Sequence, residues 1–261
     1  TRLRDHKNGM DVHGGGSLLG LPEYNAANVG LVFGTLFSVP ERRCNPNFFG
    51  EECYSTPVEA HRIYWNQLDH YHKLADIRSD SYRLVLTRQD LKSHLDLWQS
   101  QPGSLKPIGI VPLMEGAEGI VDLDELPEWW DRGLRIIGLA WAGNRFCGGT
   151  REPGTLTAEG RDLINAMSEV GFVLDLSHMD EPAALACLDL YPGKIIASHA
   201  YAARLVKGYN SNRLLSDEVI RKLIARDCLI GVIPVNGFLN ANWKQDGGKA
   251  AVSLRLVAEQ I

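Results

Sequence analysis

Apolar runs of strand length alternate with stretches of helical spacing along most of the chain, and this alternation leaves few folds open to it. Residues 29–37, 82–86, 107–114, 134–140, 171–176, 194–197 and 229–233 read as strands. Residues 58–74, 90–99, 123–132, 157–170, 181–190 and 216–225 read as helices, with Pro182 in a first turn and Ser216 as a cap. Strands this apolar, separated by helices, belong in a parallel sheet covered by helices. Side chains able to do chemistry recur where an apolar run ends: Glu115, Trp141, His178, His199 and Asn236. That placement predicts an α/β fold of the (β/α)8 TIM-barrel type, whose site lies at the C-terminal ends of its strands. A doubly wound sheet also puts ligands at strand ends. Neither GxGxxG nor GxxxxGK followed by Ser or Thr occurs, which weakens a nucleotide-binding version. A chain of 261 residues fits one barrel domain over 1–261, and no linker or repeat divides it.

Composition narrows the partners. Hydrophobic residues make up 44% and charged residues 23%, which excludes a disordered chain. The formal net charge of −5 argues against a general nucleic-acid binder. No apolar run approaches the 18 or so residues that cross a bilayer. The five cysteines, Cys44, Cys53, Cys147, Cys187 and Cys228, include no CxxC, so a thiolate zinc site is not expected. Cys44 and Cys53 are expected to be free or at most loosely paired, because a chain with this much core needs no staple there. The compartment is left open, with the cytoplasm favoured, and so is a homodimer.

His178 closes Val-Leu-Asp-Leu-Ser-His and His199 closes Ile-Ile-Ala-Ser-His, 21 residues apart. That gap holds one helix and two loops, so the two imidazoles end neighbouring strands and can converge on one metal ion. A lone strand-end histidine is more often a packed residue; the pair carries the metal reading. Glu115 ends the run Ile-Val-Pro-Leu-Met and precedes Gly116 and Ala117. A carboxylate there needs a cationic partner, because burying it alone costs several kcal/mol. That partner is either an arginine or a metal, which two carboxylate oxygens could bridge.

These residues make the chain recognisable. It resembles the membrane dipeptidase (renal dipeptidase) family, the M19 zinc peptidases. The matching stretches are Met114-Glu-Gly-Ala117, Gly133-Leu-Arg-Ile-Ile-Gly-Leu139, Leu156-Thr-Ala-Glu-Gly-Arg161, Gly171-Phe-Val-Leu-Asp-Leu-Ser-His178, Ser198-His199 and Arg213-Leu-Leu-Ser-Asp217, in family order. The resemblance implies a (β/α)8 barrel of the metal-dependent hydrolase type. It also implies two Zn2+ ions and a dipeptide substrate cleaved by a metal-activated water. Glu115 falls on the bridging carboxylate, and His178 and His199 on the ligands of the second zinc. Arg213 falls on the arginine that holds the substrate carboxylate, with Arg204 as a competitor. Trp141 stands where some relatives place a substrate-contacting histidine, and Asn144 is a candidate donor to the substrate carbonyl.

Two family features are not found. The Asp-x-His-x-Asp motif of the first strand is approached only by Asp11-Val-His13-Gly-Gly15, which lacks the second Asp. His13 is therefore read as a loop residue and the motif as lying upstream. The family's late Asp is missing as well, so the barrel is expected to be incomplete at both ends. Residues 249–261 read as an amphipathic helix. His6 and His94 are expected at the surface, and His61, His70 and His72 on one helical stretch with no metal role. Trp129 and Trp130 are expected to pack a helix, Asp175 to bond its strand end and Asp180 to cap a helix. Two other functions stay open. One is a zinc amidohydrolase of N-acyl amino acids or cyclic amides; the other is a non-catalytic barrel that binds a ligand or partner.

Overall fold

The computed structural model describes residues 20–45, 53–100, 105–206 and 211–261. His6 and His13 lie outside them. Contacts divide the chain into two compact units, one of residues up to 114 with 127–136, the other of 115–126 with 137–261.

In the first unit a short helix α1 (Leu21–Ala26) leads to strand β1 (Leu31–Phe37). Two short strands follow, β2 (Val39–Pro40) and β3 (Cys53–Tyr54). Helix α2 (Pro57–Ile77) starts where Thr56 and Glu59 cap each other's backbone N–H groups, with Pro57 in the first turn. It buries Ala60, Ile63, Tyr64, Leu68 and Tyr71, a spacing of three and four that makes one inward stripe. Strand β4 (Tyr82–Leu84), helix α3 (Arg88–Ser100) and strand β5 (Ile108–Glu115) complete the unit together with helix α4 (Leu126–Asp131). β4 runs parallel to β5, with Tyr82 opposite Ile108 and Leu84 opposite Ile110.

Two expectations are corrected here. Cys44 and Cys53 form a disulfide, with Cα atoms 6.0 Å apart. The reason is the parallel pairing of Val39 with Cys53, which brings the chain back beside Cys44 at a separation a disulfide spans. His94 is buried, not exposed: α3 turns it inward, and its Nε2 lies 2.6 Å from the Gly30 carbonyl oxygen. Gly109 leaves the room, since a Cβ there would stand 2.9 Å from that nitrogen. Trp129 packs as expected, its ring edge-on to Trp65 at 4.9 Å and to His61 at 5.1 Å.

In the second unit strand β6 (Ile136–Gly138) is followed by an antiparallel hairpin of β7 (Cys147–Gly149) and β8 (Glu152–Leu156). Helix α5 (Ala158–Val170) is capped by the Thr157 hydroxyl, which accepts from Gly160 N at 3.0 Å. It stops at Gly171, whose φ of +102° only glycine adopts freely. Then come strand β9 (Val173–Asp175), helix α6 (Glu181–Leu190), strand β10 (Ile195–Ala200), helix α7 (Asp217–Ala225) and strand β11 (Leu229–Val232). The order β6-β9-β10-β11 is that of successive strand–helix units. β9 and β11 flank β10 in parallel, Leu174 opposite Ile195 and Leu229 opposite Ile196. The α/β class with parallel strands is as expected; a closed eight-stranded barrel is not shown among the described residues.

The tail differs from its reading. Residues 249–261 carry a 3₁₀ turn and a short helix α9 (Leu254–Ala258) in place of one amphipathic helix. Leu254 and Ile261 are 84% and 97% exposed while Val252, Leu256 and Val257 are half-buried, so the stripe is only partly covered, and packing is what sustains a short helix. Asn236 opens helix α8 (Asn236–Leu239), four residues beyond the end of β11.

Candidate metal centre

Glu115 is the last residue of β5, His178 follows β9, and His199 is the last residue but one of β10. All three belong to the second unit. His178 Nε2 lies 2.8 Å from Glu115 Oε1, His199 Nε2 lies 3.3 Å from the same oxygen, and the two nitrogens are 2.9 Å apart. Among the described residues this is the one group of three or more His, Cys, Asp or Glu side chains whose ligand atoms come together closely enough to hold a metal ion. Two imidazole nitrogens and one carboxylate oxygen are a donor set suited to zinc.

The backbone works to produce this convergence. His178 has φ +71°, a left-handed conformation that costs a non-glycine residue about 1 kcal/mol and is found where function demands it. Gly116 at φ +92° turns the chain immediately after Glu115, and its N–H donates to the Gly138 carbonyl at 3.0 Å. The other ring nitrogens are also engaged. His178 Nδ1 is 2.8 Å from Thr150 Oγ1, and His199 Nδ1 is 2.8 Å from Ser198 Oγ. Such outer hydrogen bonds orient an imidazole and set its tautomer.

Burial alone would raise the Glu115 carboxyl pKa, but the two imidazoles that face it, His178 and His199, outweigh burial and hold the group well below the usual carboxylate range. Burial lowers the His178 imidazole to about 4, against the opposing pull of Glu115. Near neutral pH Glu115 is thus an anion and His178 is neutral, the forms in which they bind a cation.

Trp141 follows β6 closely, and its ring centroid is 6.1 Å from that of His178. Arg213 is buried, and its Nη2 donates to the His199 carbonyl at 2.7 Å. Arg204 points elsewhere, paired at 3.0 Å with Asp217 on the surface. Asn144 holds its own loop: its amide donates to the Leu139 carbonyl at 2.7 Å and accepts from Phe146 N at 2.9 Å. Asp180 stands at the N-cap position of α6 but does not cap it. Its carboxylate accepts from Gly154 N and from the Asn212 amide, both at 2.9 Å. Sequence reasoning missed Thr150, in a turn with no motif. It also undervalued Asp175, although an acid three residues before a strand-end histidine was a visible signal.

The profile of the membrane dipeptidase family (peptidase family M19) matches residues 19–261. The chain belongs to this family. It is 28% identical over 216 residues to an uncharacterized protein in the PQQ-III 3′ region of Acinetobacter calcoaceticus, covering 79% of this chain and 64% of that one. It is 25% identical over 260 residues to an uncharacterized dipeptidase of Schizosaccharomyces pombe, covering 95% and 56%. The chain therefore spans less than two thirds of the length of these curated relatives. In fold it is similar to a metallo peptidase from Rhodobacter sphaeroides liganded with a phosphinate mimic of the dipeptide L-Ala-D-Ala. The TM-score is 0.73 at 18% identity, covering 96% of this chain and 73% of that one.

Proposed function

We propose that the protein is a metallodipeptidase, with Glu115, His178 and His199 holding Zn2+ and a dipeptide as substrate. The single observation that carries this reading is the meeting of one anionic carboxylate and two imidazole nitrogens within 3.3 Å of one another in a member of the M19 family. The convergence stands on strand ends and hydrogen bonds of the chain itself, so it is a preformed cation site.

When bound, zinc supplies Lewis-acid chemistry, activating water near neutral pH and polarising a carbonyl. A second zinc ion would need ligands beyond His178 and His199. Arg213 holds the substrate's free C-terminal carboxylate, for which a guanidinium is the matching donor. Its anchor on the His199 carbonyl keeps that charge beside the ligand group. Trp141 forms an apolar wall next to His178, and Asn144 keeps the loop that carries it in shape. We read residues 1–261 as belonging to one (β/α)8 barrel domain. The strand–helix alternation and the placement of the ligands at strand ends support that reading.

The test is a hydrolysis screen of the full-length protein on dipeptides, N-acyl amino acids and cyclic amides, with and without a chelator. The proposal expects chelator-sensitive cleavage of dipeptides. Cleavage confined to the other two classes, or unaffected by removing metal, would contradict it.

A further inference from the structure

We infer that Asp175 is a positioning residue that fixes which nitrogen of His199 carries the proton, acting through Ser198. The inference rests on the reading of His199 as a metal ligand. It goes beyond that reading by naming what sets the ligand's tautomer.

A count of hydrogens places the proton. Asp175 is buried, and Oδ1 accepts from Ser177 N at 3.0 Å, Ser198 N at 2.9 Å and Ser177 Oγ at 2.8 Å. Oδ2 accepts from Ser198 Oγ. A carboxylate has no proton to offer, and each serine hydroxyl has one. Hydrogen bonds to a charged acceptor are roughly twice as strong as neutral ones, so both hydroxyl protons go to Asp175. The 3.1 Å contact between the two serine oxygens then has no proton left to bridge it. Each serine oxygen can only accept. Ser177 Oγ accepts from His199 N at 3.0 Å, which ties the end of β10 to the end of β9. Ser198 Oγ, 2.8 Å from His199 Nδ1, must accept from Nδ1–H. The proton of His199 therefore sits on Nδ1, and the bare lone pair of Nε2 faces Glu115 and His178 before any ion arrives.

His178 has no such lock. Its Nδ1 faces Thr150 Oγ1, a hydroxyl with no second partner among the described residues. That hydroxyl rotates to donate or accept, so His178 keeps Nε2–H for Glu115 and can exchange it for an Nδ1–H donated to Thr150 Oγ1 when a cation takes its place. The pair thus combines one fixed ligand with one that switches.

The experiment reads histidine tautomers from long-range 1H–15N correlation spectra of metal-free protein, and zinc affinity by competition with a chelator. In the wild type His199 is expected with Nδ1 protonated and Nε2 bare. Asp175→Asn offers an amide that donates to Ser198, which frees the serine proton to point at Nδ1. The expected result is a His199 that carries its proton on Nε2 and zinc bound roughly 10- to 100-fold more weakly. Ser198→Ala is expected to weaken zinc binding at least several-fold, and Ser198→Thr, which keeps the Oγ, to restore it. A purely structural role would lower the melting temperature of these variants and leave the tautomer alone. A wild-type His199 protonated on Nε2, or an Asp175→Asn protein with unchanged tautomer and zinc affinity, would overturn the inference. If Asp175→Asn does not fold, the wild-type spectrum and the Ala/Thr pair at Ser198 decide. If the wild type binds no zinc, the metal reading fails while the metal-free spectrum still decides the tautomer.

Discussion

Glu115→Gln keeps the shape of the side chain and removes the charge that both imidazoles face. The expected outcome is zinc affinity reduced at least tenfold with the fold retained, measured by chelator competition beside a thermal melt. A second residue-scale prediction concerns pH. The unfolded chain protonates a histidine at about 6.5, whereas folded His178 does so at about 4. Between these values the unfolded state binds more protons, so stability falls as pH drops through that window, by at most about 3 kcal/mol. Glu115, held low in the folded state, extends the loss below the usual carboxylate pKa. Denaturant melts of metal-free protein at pH 7, 5 and 4 measure this, and His178→Ala should flatten the profile between pH 6.5 and 4. At this scale the ligands could be read from the sequence because each ends an apolar run. His94 could not: nothing local shows that Gly109 and Gly30 make room and a partner for it in the interior.

Elements with strong local signals lie where the sequence puts them. Thr157 and Ser216 cap α5 and α7 as polar residues before periodic runs should. Thr56→Ala removes the reciprocal cap of α2 and should lower stability by about 1 kcal/mol in urea melts, with no effect on zinc affinity. Elements whose fate depends on a distant partner were not legible. The stripe in residues 249–261 has helical spacing yet is only partly covered, with Leu254 and Ile261 left exposed. The Cys44–Cys53 bridge depends on β2 pairing with β3, which no cysteine spacing encodes. Thiol titration in denaturant without reductant should therefore find three free cysteines, Cys147, Cys187 and Cys228, among the five. Five would contradict the bridge. Reducing this bridge, whose cysteines are 9 residues apart, should cost roughly 2–3 kcal/mol on a chain-entropy account.

Across the whole molecule, the Cys44–Cys53 disulfide is a bond of the kind that persists in oxidising surroundings. No helix among the described residues is long and apolar enough to cross a membrane. The alternation of strand and helix gives the α/β class and places Glu115, His178 and His199 at strand ends, which is the physical basis for reading a metal centre from sequence. The most direct test is calorimetric titration of metal-free protein with Zn2+, comparing the wild type with the His178→Ala/His199→Ala double variant. Stoichiometric binding by the wild type and its loss in a double variant that still melts cooperatively is the predicted result. A double variant that binds Zn2+ as tightly as the wild type would contradict it.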